Sequence, residues 1–233
     1  MNERRLRVYI ASMYVAAIVA AALTDWSSIG DLPQAALLGW LGLIVVGVLS
    51  EGLAIGLSVG AASSTSSITF LPLLAAVQLF GPAAATVLVC VTQVFGELVV
   101  RRKVLSRALF NVSQAVVGTA VGGQLFLMVG GIPLNAADPG NTPTITQQLG
   151  PFIVFGLVFL AVNHAAVAMA ITLSQRLPFR RVWGLVVSNS GGSLNDILVA
   201  PIALAVAFLY VQFGIGGILV VLLPMLFIRY SYL

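Results

Sequence analysis

An all-α, polytopic bundle of transmembrane helices is the fold class this sequence predicts, and three observations carry the prediction. Hydrophobic residues fill 60% of the 233 positions and charged ones only 8%, against about 25% charged in ordinary soluble proteins. The apolar residues fall in long runs, several near the roughly 20 residues that a helix needs to cross about 30 Å of hydrocarbon. The basic residues gather at Arg4, Arg5 and Arg7; at Arg101, Arg102, Lys103 and Arg107; at Arg176, Arg180 and Arg181; and at Arg229. Stretches 25–34 and 132–150 hold none and carry Asp25, Asp31 and Asp138. By the positive-inside rule the basic clusters and both termini are cytoplasmic. The net charge of +4 then reads as topology and headgroup contact, and it calls for no nucleic acid.

The first predicted span is Val8 to Thr24, leaving the cytoplasm behind the Arg cluster. A cleaved signal peptide is the lesser reading, because everything downstream is membrane as well. Ala35 to Leu57 returns. Ser58 to Thr69 is rich in Ser, Thr, Gly and Ala, and the apolar run that follows, Ile68 to Gly81, is short: its 14 residues reach only about 21 Å as a helix. Pro82 opens the next helix, which stops at Arg101. Both ends of this unit belong inside, so it is either two short spans, the preferred reading, or a re-entrant hairpin buried in protein.

Leu105 to Gly130 leads out again, and Gly131 to Gly150 is the longest external loop. Pro151 opens a span that returns by Ser174. Val182 to Phe213 runs outward, with a Gly- and Ser-rich break at Ser190-Gly-Gly-Ser193; a turn beside an amphipathic helix (Val182 to Val187) is preferred there to an unwound binding segment. Gly214, Gly216 and Gly217 form a tight turn before Ile218 to Ile228 comes back to Arg229. The count is about eight spans, or six plus the hairpin, in a single domain over residues 1–233. The end at Arg229-Tyr-Ser-Tyr-Leu is a natural place for a following domain.

Hydrolytic, redox and nucleotide motifs are absent from the sequence, and one histidine and one cysteine make no metal site, so neither catalysis, a cofactor nor a metal is expected. Cys90, inside an apolar run, reads as a small filler. What remains is a sparse set of polar groups at membrane depth, where ionisable side chains are expensive and usually face the interior. Glu97 precedes Arg101 by four residues, which suits a local ion pair. Glu51 has no such neighbour. Asn111 and Gln114 share a helix face, and Asn163 and His164 lie mid-span. With Ser63, Ser64, Thr65, Thr69, Asn195 and Asp196, these are the candidate ligand contacts. For the amides, interhelical hydrogen bonding is the plainer role. Gly52, Gly56 and Gly60, like Gly118 and Gly122, have the spacing that lets helices approach closely, within one chain or in a homodimer.

Phe80-Gly-Pro-Ala-Ala-Ala85, Glu97 with Arg101-Arg-Lys103, Ala108-Leu-Phe-Asn-Val-Ser-Gln114, Asn163 and the terminal Arg229-Tyr-Ser231 run in order along the chain. In these the sequence resembles the integral-membrane sensor regions (MASE-type) that precede bacterial HD-GYP and GGDEF signalling domains. The resemblance implies a sensory input module in the bacterial inner membrane. It would convey a small-molecule, lipid or membrane signal to a cytoplasmic signalling domain or protein of the cyclic-di-GMP type. The alternative is a small-solute transporter subunit, such as the substrate-binding component of a vitamin uptake system. An intramembrane enzyme is a third, weaker reading, because only His164 and a distant carboxylate offer a catalytic pair.

Overall fold

The computed structural model describes residues 2–52, 56–59, 62–65, 70–135, 143–189 and 191–218; of these, 2, 56–59, 62–65, 188–189 and 191–199 are described through their backbone alone. Thr69, Asp138, Gly60 and the return to Arg229 lie outside the described residues.

The first helix, α1 (Asn2–Ala22), takes in the arginines ahead of the apolar run. Asp25 then holds the turn: its carboxylate accepts from Ser27 N at 3.0 Å and Ser27 Oγ at 2.7 Å, which lowers its pKa. A one-turn helix, α2 (Ser27–Gly30), leads to α3 (Gln34–Gly52). The expected end of this span, Leu57, is not helical: the chain from Gly56 to Val59 is extended. The strands β1 (Gly56–Val59) and β2 (Ala62–Thr65) pair antiparallel, Gly56 opposite Thr65. Glycine and small hydroxyl residues favour such a turn over another helical turn. Gly52 and Gly56 therefore do not share one helix face.

Helix α4 (Phe70–Val94) is broken at Gly81, whose φ of 85° and ψ of −179° are not helical, with Pro82 restarting the helix. Pro72 and Thr92 both pack against Gly47 of α3. A straight helix would hold residues 72 and 92 about 30 Å apart, so α4 doubles back at Gly81. The unit is a hairpin of unequal arms. The described part of the first arm, residues 70–80, reaches about 16 Å, less than a bilayer, whereas the second arm, continued by the π-helical turn Phe95–Val100, has the needed length. Every residue from Phe70 to Thr86 is buried, the setting that tolerates a break at membrane depth. The loop after α5 (Leu105–Met128) seals the tip: Leu134 N and Asn135 N donate to Gln78 O and Leu79 O, at 2.9 and 3.0 Å.

Helix α6 (Ile145–Gln175) starts six residues before the expected Pro151. Its N-cap is Thr144, in a capping box with Gln147: Thr144 N donates to Gln147 Oε1 at 2.8 Å and Gln147 N to Thr144 Oγ1 at 3.4 Å. That box satisfies the first free N–H groups without help from proline. The amphipathic α7 (Phe179–Asn189) and the apolar α8 (Gly191–Phe213) divide the expected seventh span. Gly191 to Asp196 are thus the helical start of α8 and no unwound segment. Gly214, with a φ of 59°, makes the turn that follows.

Four described segments are long and apolar enough to cross a membrane: Glu3–Ala22, Gln34–Gly52, Phe70–Val100 and Ile145–Gln175. The α4 unit is the core, with 83% of its most apolar window buried against 6% for α1. Around it pack α3, α5 and α8, while α1 lies across α5 and α6. Gly118 and Gly122 let α5 sit directly on Phe159 and Phe155 of α6. Tyr14 Oη donates to Ser106 O at 2.9 Å and Tyr9 Oη to Ala166 O at 3.0 Å. These bonds place the start of α1 beside the start of α5 and the second half of α6. Arginines 4, 5 and 7, the cluster 101–107 and Arg176 accordingly share one end of the bundle, the basic end. Asp25, Asp31, Gly81 and Pro133 line a cavity of about 470 Å³ at the other.

Candidate functional site

At the basic end, Arg101 grips carboxylates from two separate elements. Its Nη2 donates to Glu51 Oε2 of α3 at 2.6 Å, and its Nη1 to Glu97 Oε1 of the π turn at 3.0 Å. Lys103 Nζ adds a second cation 2.8 Å from Glu97 Oε2, and Asn111 Nδ2 of α5 donates to that oxygen at 2.6 Å. Glu51 is fully buried and Glu97 is 3% exposed. Charge-assisted bonds at these lengths are the strong kind, and they answer the large cost of burying two carboxylates.

Local structure explains how so many groups converge. Arg101 N donates to Gly96 O at 2.9 Å, an i to i−5 bond that widens the turn. Arg102 then adopts a left-handed φ of 49°, which reverses the chain, and Lys103 N closes on Glu97 O at 2.9 Å. Lys103 is thereby brought back over Glu97. Gly96 leaves room for this pair: a Cβ there would stand 2.5 Å from Glu51 Oε2 and 2.8 Å from Arg101 Nη1, so the paired side-chain ends would have to shift.

The network walls a polar cavity of about 210 Å³ between α3, the π turn, α5 and α6. Gln93, Gln114 and Asn163 add amides to its polar lining, with Ala115 and Phe159 as its apolar side. Gln114 Oε1 and Asn163 Oδ1 are both buried without a hydrogen-bond partner, an uncommon and costly state for buried oxygens. The structure therefore brings together Glu51, Asn111, Gln114 and Asn163 with the Glu97–Arg101 pair. His164, half-buried, is not in the lining. Ser63, Ser64 and Thr65 lie on β2, and Asn195 and Asp196 on the first turns of α8; their backbone alone is described. Among the described residues no three His, Cys, Asp or Glu side chains gather as a metal site requires.

Sequence reasoning misses Gln93 and Lys103 of the lining, Gly96 beside it, and the Gln78–Gln148 pair at the opposite, acidic end. Lys103 reads only as one of the topological charges, and Gly96 looks like any glycine of an apolar helix. At the acidic end, Gln78 Nε2 donates to Gln148 Oε1 at 3.1 Å, and Ile132 N donates to the same oxygen at 3.3 Å. A signal for Gln78 exists: it is a lone amide inside the apolar run before Gly81, and polar groups at such depth are rarely idle.

A core of buried apolar helices, with the buried carboxylates Glu51 and Glu97 gathered at its basic end, marks a polytopic membrane protein. The chain belongs to the MASE9 family of membrane-associated sensor domains, whose family model matches residues 34–232. The resemblance to MASE-type sensor regions is thus one of membership. No curated protein and no solved structure matches the chain.

Proposed function

We propose that this chain is the input module of a bacterial inner-membrane signalling protein, with its basic end and both termini in the cytoplasm. It would cross the bilayer in more spans than the four long apolar segments, and pass its state to a cytoplasmic output domain or partner of the cyclic-di-GMP type. One observation carries the reading beyond family membership: Arg101 ties α3 to the π turn beside a polar cavity whose walls also include α5 and α6. A ligand or membrane change that favours one arrangement of this joint over another shifts the whole bundle. The basic clusters at the same end would also touch anionic headgroups, and a homodimer is a natural assembly for such modules.

The test is to place residues 1–233 ahead of a GGDEF cyclase domain and measure cyclic-di-GMP in cells at matched membrane levels. Arg101→Ala is expected to move the output by a factor on the order of 5–150, the usual range of allosteric coupling. Equal output from the parent and the variant would refute the reading.

The buried break at Gly81 and Pro82 favours a second reading, a small-solute transporter subunit, since discontinuous helices build many transport sites. That reading expects uptake of a labelled solute in vesicles that hold the chain with its ATPase partner, with no effect on a fused cyclase.

A further inference from the structure

The cavity at the basic end has a specific chemical demand. Among the described residues its charged lining is two carboxylates, Glu51 and Glu97, and two cations, Arg101 and Lys103, each engaged with the other sign. These four charges sum to zero. A ligand with net charge would have to break one of these pairs or lie unpaired in a poorly solvated site.

The unmet groups lie elsewhere in the lining. Gln114 is 7% exposed, and its Oε1 accepts nothing. Asn163 Oδ1, on the facing helix, is equally buried and equally without a donor. Both residues, from two helices, line one space of about 210 Å³, the volume of about seven water molecules at roughly 30 Å³ each. Toward the mouth, where Lys103 is more than a third exposed, Arg101 keeps N–H groups beyond the two that its carboxylates take.

Resting on the sensor reading above, we infer that this cavity binds a small molecule without net charge. The ligand donates hydrogen bonds to Gln114 and Asn163 and accepts them from Arg101 or Lys103. Two sources share that chemistry: a polyol, whose hydroxyls do both, and a zwitterion, whose ammonium meets the amides and whose carboxylate meets the cations. Binding would join α5 to α6 through the ligand and add to the contacts of Arg101, the residue that joins α3 to the π turn.

The experiment is equilibrium binding to the full chain in nanodiscs, using radiolabelled erythritol, glycine, acetate and methylammonium at neutral pH. Saturable binding of erythritol or of glycine is expected, and which of the two binds identifies the source. Gln114→Met should weaken that binding by about tenfold, the effect of losing one acceptor. Gln114→Glu supplies a charge in place of the amide and should transfer preference to methylammonium. Stronger binding of acetate or methylammonium to the parent overturns the inference, as does saturable binding of none of the four, which leaves a water-filled cavity. Unchanged binding in Gln114→Met overturns it too, as does a folded Gln114→Glu that gains no methylammonium. If no probe binds but Arg101→Ala still moves the fused cyclase, the ligand class fails and the sensor reading stands. Binding with an unresponsive cyclase is the reverse.

Discussion

Gln78 and Gln148 at the acidic end of the bundle are as deeply buried as Glu51 at the basic end, with exposures of 0%, 1% and 0%. The two ends solve the same problem differently. Gln78 and Gln148 join the short arm of α4 to α6, and loop N–H groups close around them. Amides carry no net charge, so this joint depends little on what stands nearby. At the basic end the joint is ionic: Arg101 and Lys103 hold Glu51 and Glu97 in place. Removing one member there takes a counter-charge away from a buried ion. The difference assigns the acidic end to anchoring the hairpin tip and the basic end to an arrangement that a ligand can tip.

The comparison breaks most sharply at Arg101. Arg101→Ala removes the guanidinium that joins Glu51 to Glu97 and should cost about 3–5 kcal/mol. Thermal unfolding followed by tryptophan fluorescence in detergent would show it, and an unshifted midpoint would remove the ionic joint from the account. Gly96→Ala tests the same joint without touching a charge. The added methyl meets Glu51 Oε2, so a loss of about 1–3 kcal/mol is expected. Gln148→Leu probes the neutral end, where orphaning Gln78 should cost about 1–3 kcal/mol. The cyclase output of the fused chain should stay near the parent level in that variant. If Gln148→Leu moves the output as much as Arg101→Ala does, the division of labour between the ends is wrong. Glu3→Ala supplies the baseline: its pair with Arg7 is exposed, with the two side chains 87% and 80% accessible. Stability should change by no more than about 0.5 kcal/mol.

Much of the site is legible from spacing along one helix. Glu97 and Arg101 are four apart, and Asn111 and Gln114 three apart, so each pair shares a face in any helical arrangement. The bond from Arg101 to Glu51 spans fifty positions, and no periodicity connects them. Thr144 and Gln147 form a capping box that the sequence spells out, yet Pro151 is the louder signal and draws the predicted start of α6 too far along the chain. Leu57 is misread as the end of a helical span because it lies in an apolar run although Gly56–Val59 is a strand, and hydrophobicity alone does not separate helix from strand over so short a run.

The sequence by itself determines that this is a membrane protein with apolar helices, how its basic residues divide the chain, and where the long apolar segments lie. Those properties follow from composition, charge and local backbone preference, which act over a few residues. Only the tertiary structure decides that α4 doubles back at Gly81, that Gly118 and Gly122 seat α5 on α6, and that Glu51 meets Arg101. These are contacts between residues far apart in the chain, settled by close packing and by the need of each buried charge to find a partner.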